Sequence, residues 1–331
     1  MLHQKWTQNN INTYANTGLY LTHGRSNRVI DLSVKIGGLK FANPILTASG
    51  TFGSGEEFSH FFDLNHLGGI VSKAVTPEPR IGNPSPRIAE TPCGMLNSIG
   101  LTNAGVKQFV KEKLPFLQSL ETKVIVNVAG KTIDDFSTVI KNIEDAGGVD
   151  GYEINISCPN VKEGGMAFGV DPIITGKITG QTRNATDKCL IVKLSPNVTS
   201  ISDIAIAAEN EGADGLSVIN TLVGMAVDVN TKRPKLATVK GGLSGPAIKP
   251  VAIAKVFEVV NAVKIPVIGV GGIMELNDVL EFLITGATAI QVGTANFVSP
   301  QISEQLVFDL KNYCQKNSIQ TMADIIGSLK I

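Results

Sequence analysis

The sequence has no excess of charge of either sign. Its 331 residues include 29 Lys and Arg against 29 Asp and Glu, so the formal net charge is zero. A nucleic-acid-binding protein would carry a basic face or stripe, so this balance argues against that class. No apolar run approaches the roughly 18 residues of a membrane-spanning helix, and the N-terminus does not resemble a signal peptide. The sequence therefore predicts a soluble, cytoplasmic protein without nucleic-acid or membrane partners.

Residues that hold metals are also scarce. The four cysteines, at 93, 158, 189 and 314, form no CxxC pair, which argues against a disulfide framework or a cysteine-held iron-sulfur cluster. All four histidines lie within the first 66 residues, far from most of the candidate site residues. Neither a Cys-His dyad nor a metal site is therefore supported, and we predict no metal.

The first 30 residues differ in composition from the rest of the chain. They are rich in Asn, contain no acidic residue and carry the only Trp, Trp6. They lack the Arg and Ser richness of an organelle transit peptide. We predict that residues 1–30 are a flexible or non-native N-terminal extension and that residues 31–331 form the functional domain.

From about residue 43, short apolar segments alternate with longer helical patterns. Most of the short segments are β-branched and almost continuously apolar, as expected of parallel strands that are buried on both faces. The eight predicted strands are 45–48, 69–72, 124–128, 152–156, 190–194, 216–219, 267–270 and 289–292.

Three of the intervening segments combine helical spacing with matching start and stop residues. In one, apolar residues at 136, 139, 140 and 143 follow a Thr132 and Asp135 capping pair and precede a glycine stop. The pattern recurs between Ser200 and Gly212 and again before Gly286. Eight strands with helical crossovers and no change in composition favour one closed (β/α)8 TIM barrel over two doubly wound domains of about 150 residues each.

Polar residues collect at the carboxyl ends of the predicted strands, where barrels of this kind have their active sites. Single lysines or asparagines at such positions cap loops, but so many together favour a functional site. These strand ends carry Ser49, Lys73, Asn127, Asn155, Asn160, Lys193, Asn220, Thr221, Gly271, Gly272, Gly293 and Thr294.

Glycine-rich turns follow the last two strands, at 269–273 and 291–295, and a third turn lies at 241–246. Such turns in barrels commonly bind a phosphate group, because small residues let backbone N–H groups approach its oxygens. Glycine also serves as a helix stop or a tight corner. No P-loop or dinucleotide fingerprint is evident, which disfavours ATP and dinucleotides. We predict a ligand with one phosphate group.

Two lysines end strands, Lys73 and Lys193. A lysine there could form a Schiff base or act as a fixed cation beside developing negative charge. Two lysines accompanied by several asparagines favour the second role. A planar, imide-like anion would match the amide donors and acceptors of Asn97, Asn155 and Asn220.

The thiol of Cys158 follows a strand end and precedes a proline. It could be a nucleophile, a general base or an inert residue. A general base makes the fewest demands on its neighbours, and an ordinary thiol in that role implies better activity at mildly alkaline pH.

Six motifs in this order resemble those of the dihydroorotate dehydrogenases, over residues 31–331. They are TASG at 47–50, SKAVT at 72–76, NSIGL at 97–101, NISCPN at 155–160, VKLSP at 192–196 and GLSGP at 242–246. The resemblance implies a flavoprotein oxidoreductase that binds FMN at the C-terminal face of the barrel. It also implies oxidation of (S)-dihydroorotate to orotate in pyrimidine (UMP) biosynthesis.

The same resemblance implies residue roles. Cys158 would remove the C5 proton while the C6 hydride passes to flavin N5, Lys73 would lie between substrate and flavin, and Lys193 would stabilise the anionic reduced flavin. The implied substrate-binding residues are Lys73, Asn97, Ser98, Ile99, Gly100, Leu101, Asn155, Asn160, Asn220 and Thr221. The implied FMN-binding residues are Ala48, Ser49, Lys73, Ala74, Asn127, Asn155, Lys193 and Ile219, with the phosphate at Gly245, Gly271, Gly272, Gly293 and Thr294.

A cysteine base is typical of the class 1 enzymes, and residues 220–245 resemble the NAD-linked class 1B. That class forms a heterotetramer of two catalytic subunits, paired as a dimer, and two electron-transfer subunits that carry FAD and a 2Fe-2S cluster. The cysteines of this chain do not supply such a cluster, so the resemblance implies a partner subunit as the exit for electrons.

Three alternatives remain open at this point. One is a fumarate-linked class 1A enzyme. Another is dihydropyrimidine dehydrogenase, which acts on dihydrouracil; it usually has His where this chain has Asn160, and it has ferredoxin-type cysteines that this chain lacks. The third is a non-catalytic barrel that only binds a phosphate ligand, which the combination of Cys158, two lysines and several asparagines disfavours.

Overall fold

The computed structural model describes residues 30–156 and 168–331. Residues 1–29 of the predicted extension lie outside the described residues, as do Cys158 and Asn160. In the part of the chain that is described, no helix is both long and apolar enough to cross a bilayer.

Eight parallel strands close into a barrel, which confirms the predicted fold class. Each predicted strand is present, with ends that differ by at most one residue. In chain order the barrel strands are β3 (Ile45–Thr47), β4 (Gly69–Val71), β7 (Lys123–Val128), β8 (Gly151–Asn155), β9 (Cys189–Lys193), β10 (Gly215–Val218), β15 (Val267–Val270) and β16 (Ala289–Val292). Each pairs with the next, and β16 returns to β3. The carboxyl ends of all eight strands therefore meet at one face.

Helices surround the barrel. Within residues 30–156 and 168–331 they are α1 (Val106–Glu112), α2 (Leu114–Gln118), α3 (Ile133–Asp145), α4 (Pro172–Arg183), α5 (Ile201–Asn210), α6 (Lys249–Val260), α7 (Leu276–Thr285), α8 (Ala295–Val298) and α9 (Ile302–Lys316), with 3-10 turns at Leu64–His66, Phe168–Val170, Pro246–Ile248 and Met322–Asp324.

The predicted helix signals have the expected physical basis. Thr132 and Asp135 form a reciprocal capping box at the start of α3, and the Ser200 side chain caps α5. Gly286 ends α7 in the left-handed region. The apolar stripe of α3, at positions 136, 139, 140 and 143, is buried against the barrel. Local capping residues set the ends of these helices, and a buried apolar face holds α3 against the barrel.

Two further pieces close the ends of the barrel. An antiparallel hairpin, β1 (Val34–Ile36) and β2 (Leu39–Phe41), lies at its amino-terminal end, where the carbonyl of Ile36 is 3.5 Å from the Cys189 sulfur. A four-stranded sheet in the order β11-β14-β6-β5 belongs to the opposite end. Its strands are β5 (Ile88–Thr91), β6 (Gly94–Asn97), β11 (Leu222–Met225) and β14 (Lys240–Ser244), and a short hairpin of β12 (Val227–Asp228) and β13 (Arg233–Pro234) lies between β11 and β14 in the chain.

Candidate active site

A cavity of about 270 Å³ lies at the carboxyl ends of the barrel strands. Most residues predicted from the sequence line it. They are Ala48, Ser49, Lys73, Ala74, Asn97, Ile99, Gly100, Leu101, Asn155, Lys193, Ile219, Asn220, Thr221, Gly245, Gly271, Gly272, Gly293 and Thr294. Because these residues come from strand ends and loops between Ala48 and Thr294, their convergence is a consequence of barrel closure.

Two predicted residues are placed elsewhere. Asn127 is fully buried in β7 and outside the cavity lining, with its amide bonded to Glu153 and Asn155. Ser98 is buried behind the lining, where its hydroxyl oxygen accepts hydrogen bonds from Asn83 and Thr238. In this structure both residues support the cavity wall, and their predicted ligand contacts stay predictions.

The lining also contains residues that the sequence did not single out as ligands. They are Gly50, Thr51, Ile88, Met95, Ser244, Ile248, Val270, Ile273, Met274, Ala295 and Phe297. Several are neighbours of predicted residues in the same strand-end loops. Ile88 and Met95 instead come from the four-stranded sheet β11-β14-β6-β5, which we call the accessory sheet, and no local signal in the sequence predicts that this sheet covers the cavity.

The wall formed by residues 97–101 is held from behind by Arg87. The guanidinium donates to the carbonyl oxygens of Asn83 and Ile81 and to the Thr102 hydroxyl. Within the wall, Leu101 has a φ of 58°, which an L-residue adopts only when its surroundings impose it. The planar, multidentate guanidinium thus links one end of this wall, at Thr102, to the segment of Ile81 and Asn83 behind it.

Three segments of the chain meet at a glycine-rich corner of the cavity. Gly245 and Gly272 have φ values of 96° and 75°, and a Cβ on Gly272 would lie 2.9 Å from the Gly245 carbonyl oxygen. The Thr294 hydroxyl donates to the Ser244 hydroxyl over 2.8 Å, which joins the loop after β16 to the end of β14. Glycines in positive-φ conformations leave the backbone amides of this corner accessible to an anion.

The charged side chains in the described lining are those of Lys73 and Lys193, and no Asp or Glu is part of that lining. Lys73 follows β4, and its backbone N–H donates to the Gly53 carbonyl. Lys193 is almost completely buried, and its Nζ lies 3.5 Å from Glu153 Oε1. The lining therefore suits an anionic ligand. Glu153 is not among the site residues predicted from the sequence, although an acidic residue inside an apolar strand is itself a signal of function.

The described cysteines, Cys93, Cys189 and Cys314, contribute no side chain to the cavity lining. Burial raises the pKa of the Cys189 thiol to about 12, and it also raises the pKa of Cys314. Cys93 is exposed. Both buried thiols thus remain protonated at physiological pH and are unsuited to act as bases. Among the described residues, no cluster of three His, Cys, Asp or Glu side chains could hold a metal.

Comparison with known proteins gives a consistent family. The sequence model of the dihydroorotate dehydrogenase family matches residues 31–313 of this chain. A Geotalea daltonii protein named dihydroorotate dehydrogenase B (NAD(+)), catalytic subunit, is 52% identical over 301 residues, which are 91% of this chain and 99% of that protein. A Thermoanaerobacter protein of the same name is 52% identical over 302 residues, covering 91% of this chain and all of that protein.

A solved structure supports the fold. The crystal structure titled as DHODH from Eimeria tenella in complex with ferulenol superposes with a TM-score of 0.75 at 24% identity, covering 93% of this chain and 91% of that one. At that identity the likeness concerns the fold alone. The family model and the curated relatives, which match most of the chain, show that this protein belongs to the dihydroorotate dehydrogenase family.

Proposed function

We propose that this chain is the catalytic subunit of an NAD-linked dihydroorotate dehydrogenase, which oxidises (S)-dihydroorotate to orotate in pyrimidine biosynthesis. The observation that carries the proposal is that residues from all the family motifs described in the structure line one cavity. The 52% identity to relatives named for this activity supports it. The two lysines in the lining agree with an anionic carboxylate substrate.

The described residues fit FMN. The corner at Gly245, Gly272 and Thr294 offers space and backbone amides for one phosphate group, and its glycines are packed so closely that a Cβ on Gly245 or Gly272 would collide with neighbouring backbone. Beside it, the apolar lining and the Lys193 ammonium suit a planar ring that carries negative charge on one edge. FMN, when bound, supplies the acceptor for the hydride that leaves C6 of the substrate.

A Gly272→Ala substitution should weaken flavin binding at least about tenfold. The new Cβ would lie 2.9 Å from the Gly245 carbonyl and 2.8 Å from Lys249 Cβ, and φ at 75° costs an L-residue roughly 1–2 kcal/mol. Titration of the apoprotein with FMN, followed by quenching of flavin fluorescence, measures the change.

A Gly38→Ala variant is the matched control, because a Cβ there meets nothing within 4 Å. Wild-type flavin affinity in the Gly272→Ala variant would contradict the placement of the phosphate at this corner.

The chain's own residues bind the substrate and move one proton in the proposed reaction. Amides of Asn97, Asn155 and Asn220 offer both donors and acceptors to the pyrimidine ring. The Lys73 ammonium orients the anionic substrate. The Cys158 thiolate, outside the described residues, removes the proton from C5. The accessory sheet limits access of water to this face through Ile88 and Met95.

We further propose that electrons leave through a partner subunit carrying FAD and a 2Fe-2S cluster, in a heterotetramer built on a dimer of catalytic chains. The relatives are named catalytic subunits, which supports the existence of a partner. The described cysteines are free thiols, as is usual in a reducing compartment, and this supports a cytoplasmic location.

An anaerobic absorbance spectrum tests the proposed function. The purified chain should show a flavin band that bleaches on addition of dihydroorotate and persists with dihydrouracil. Bleaching by dihydrouracil instead would move the activity to pyrimidine degradation. Absence of flavin binding, even after addition of FMN, would contradict the proposal.

A further inference from the structure

Among the described residues, one carboxylate, that of Glu153, lies inside the barrel beneath the cavity. It is fully buried in β8, and its partners come from strands around the barrel. Oε1 accepts a hydrogen bond from Asn127 over 2.6 Å, and Oε2 accepts from Ser217 and Gln291, each over 2.7 Å. The contact with Gln291 crosses the interior, because β8 and β16 are opposite strands of the barrel.

These contacts match a carboxylate anion. All three neutral partners present N–H or O–H groups to its oxygens, and the Lys193 ammonium lies 3.5 Å from Oε1. The amide nitrogens of Asn127 and Gln291 and the Lys193 ammonium are donors only, so a carboxylate matches them as an acceptor. A buried anion held by several donors and one cation is a stable arrangement, whereas a buried anion without partners is not.

Lys193 separates this carboxylate from the cavity. Its side chain belongs to the cavity lining, whereas Glu153 does not. The 3.5 Å separation is longer than a direct charged hydrogen bond of about 2.7–2.9 Å, so the ammonium is paired with Glu153 without being tightly bound to it. The field that a ligand in the cavity experiences from Lys193 is therefore reduced by a negative charge directly behind it.

We propose that Glu153 is a positioning residue that offsets the charge of Lys193 and so lowers the reduction potential of the flavin bound above it. The inference rests on the proposed binding of FMN. Reduction adds negative charge to the flavin, and a positive site favours it. With the carboxylate present, the buried pair has no net charge. The flavin is then a stronger reductant and passes electrons more readily to an NAD-linked partner.

The test is the midpoint potential of the bound flavin in wild-type protein and in Glu153→Gln. Removal of the negative charge should shift the potential to more positive values, by at least a tenfold change in the reduction equilibrium, or about 30 mV for two electrons. The variant is suited to folding, because Gln291 Oε1 is buried without a hydrogen-bond partner. Rotation of the Gln291 side-chain amide would let its Oε1 accept a hydrogen bond from the amide introduced at position 153.

Ser217→Ala is the matched control. It removes one donor from the same carboxylate without changing the charge of the site, so its potential should stay near that of the wild type. If Glu153 has a purely structural role, Glu153→Gln and Ser217→Ala should shift the midpoint potential of the bound flavin by similar amounts. That result would overturn the inference. An unchanged or more negative potential in Glu153→Gln would overturn it as well.

A second background avoids an unpaired buried ammonium. In Lys193→Gln protein, adding Glu153→Gln removes the remaining charge of the pair and should shift the potential in the same positive direction. No shift would count against the inference. If the wild-type chain binds no flavin, the proposed function fails and this inference fails with it; flavin binding with equal potentials overturns the inference alone.

Discussion

Replacing Cys158 with alanine is expected to leave FMN bound while slowing flavin reduction by dihydroorotate about 10²- to 10⁴-fold. That range is the usual contribution of a positioned general base. The methyl group of alanine cannot accept the C5 proton, and no cysteine of the described cavity lining could replace the thiol. Flavin retention is expected because the phosphate corner and the lysines are unchanged. Anaerobic stopped-flow absorbance measures the rate constant directly.

The matched control is Cys93→Ala, which removes an exposed thiol that does not line the cavity. This variant should reduce its flavin at the wild-type rate. A Cys158→Ala protein that keeps near-normal reduction would remove Cys158 from the mechanism.

Replacing Lys73 with methionine is expected to lower kcat/KM for dihydroorotate by about 10²- to 10³-fold, the usual cost of losing a directed charge in an active site. The ammonium is half-buried in the cavity lining, and no carboxylate among the described residues pairs with it. Its charge is therefore available to an anionic substrate. Methionine keeps much of the length of the side chain and its apolar contacts, so the change tests the charge.

Lys107→Met is the control, because Lys107 is exposed on α1 outside the cavity lining. Lys73→Arg tests whether charge alone suffices, and partial recovery of kcat/KM is expected from it. Steady-state kinetics with an artificial electron acceptor gives the values for all three. Wild-type kcat/KM in Lys73→Met would contradict a role for this ammonium in substrate binding or turnover.

Local patterns were sufficient to predict the barrel. Each strand of the closed sheet is a short, buried, β-branched segment, and such segments are visible without knowledge of their neighbours. Capping pairs such as Thr132 with Asp135 mark helix starts within four residues. The accessory sheet was not predicted as a unit, because the pairing that joins its local β5–β6 hairpin to β14 is not local. Asn97 of β6 pairs with Gly242 of β14, 145 positions away in the chain.

The candidate site likewise combines features that local patterns predict with features that depend on long-range packing. The rule that barrel chemistry lies at strand ends, together with the family motifs, selected Lys73, Asn155 and Lys193, which do line the cavity. Asn127 was selected by the same rule, but its side chain bonds within the barrel. Whether a residue near a strand end faces the ligand or the layer beneath depends on strand stagger, which no local pattern specifies.

The sequence by itself determined the fold class, the family and most of the cavity lining, because these depend on residue identity and short-range spacing. Only the tertiary structure decided that Glu153 lies behind Lys193. That contact requires β8 and β9 to be adjacent and in register, with Asn155 opposite Lys193 and Glu153 opposite Ile191. It also requires closure of the barrel, which brings Gln291 across the interior to the same carboxylate. Charge compensation between side chains depends on distance in space, and distance is set by packing.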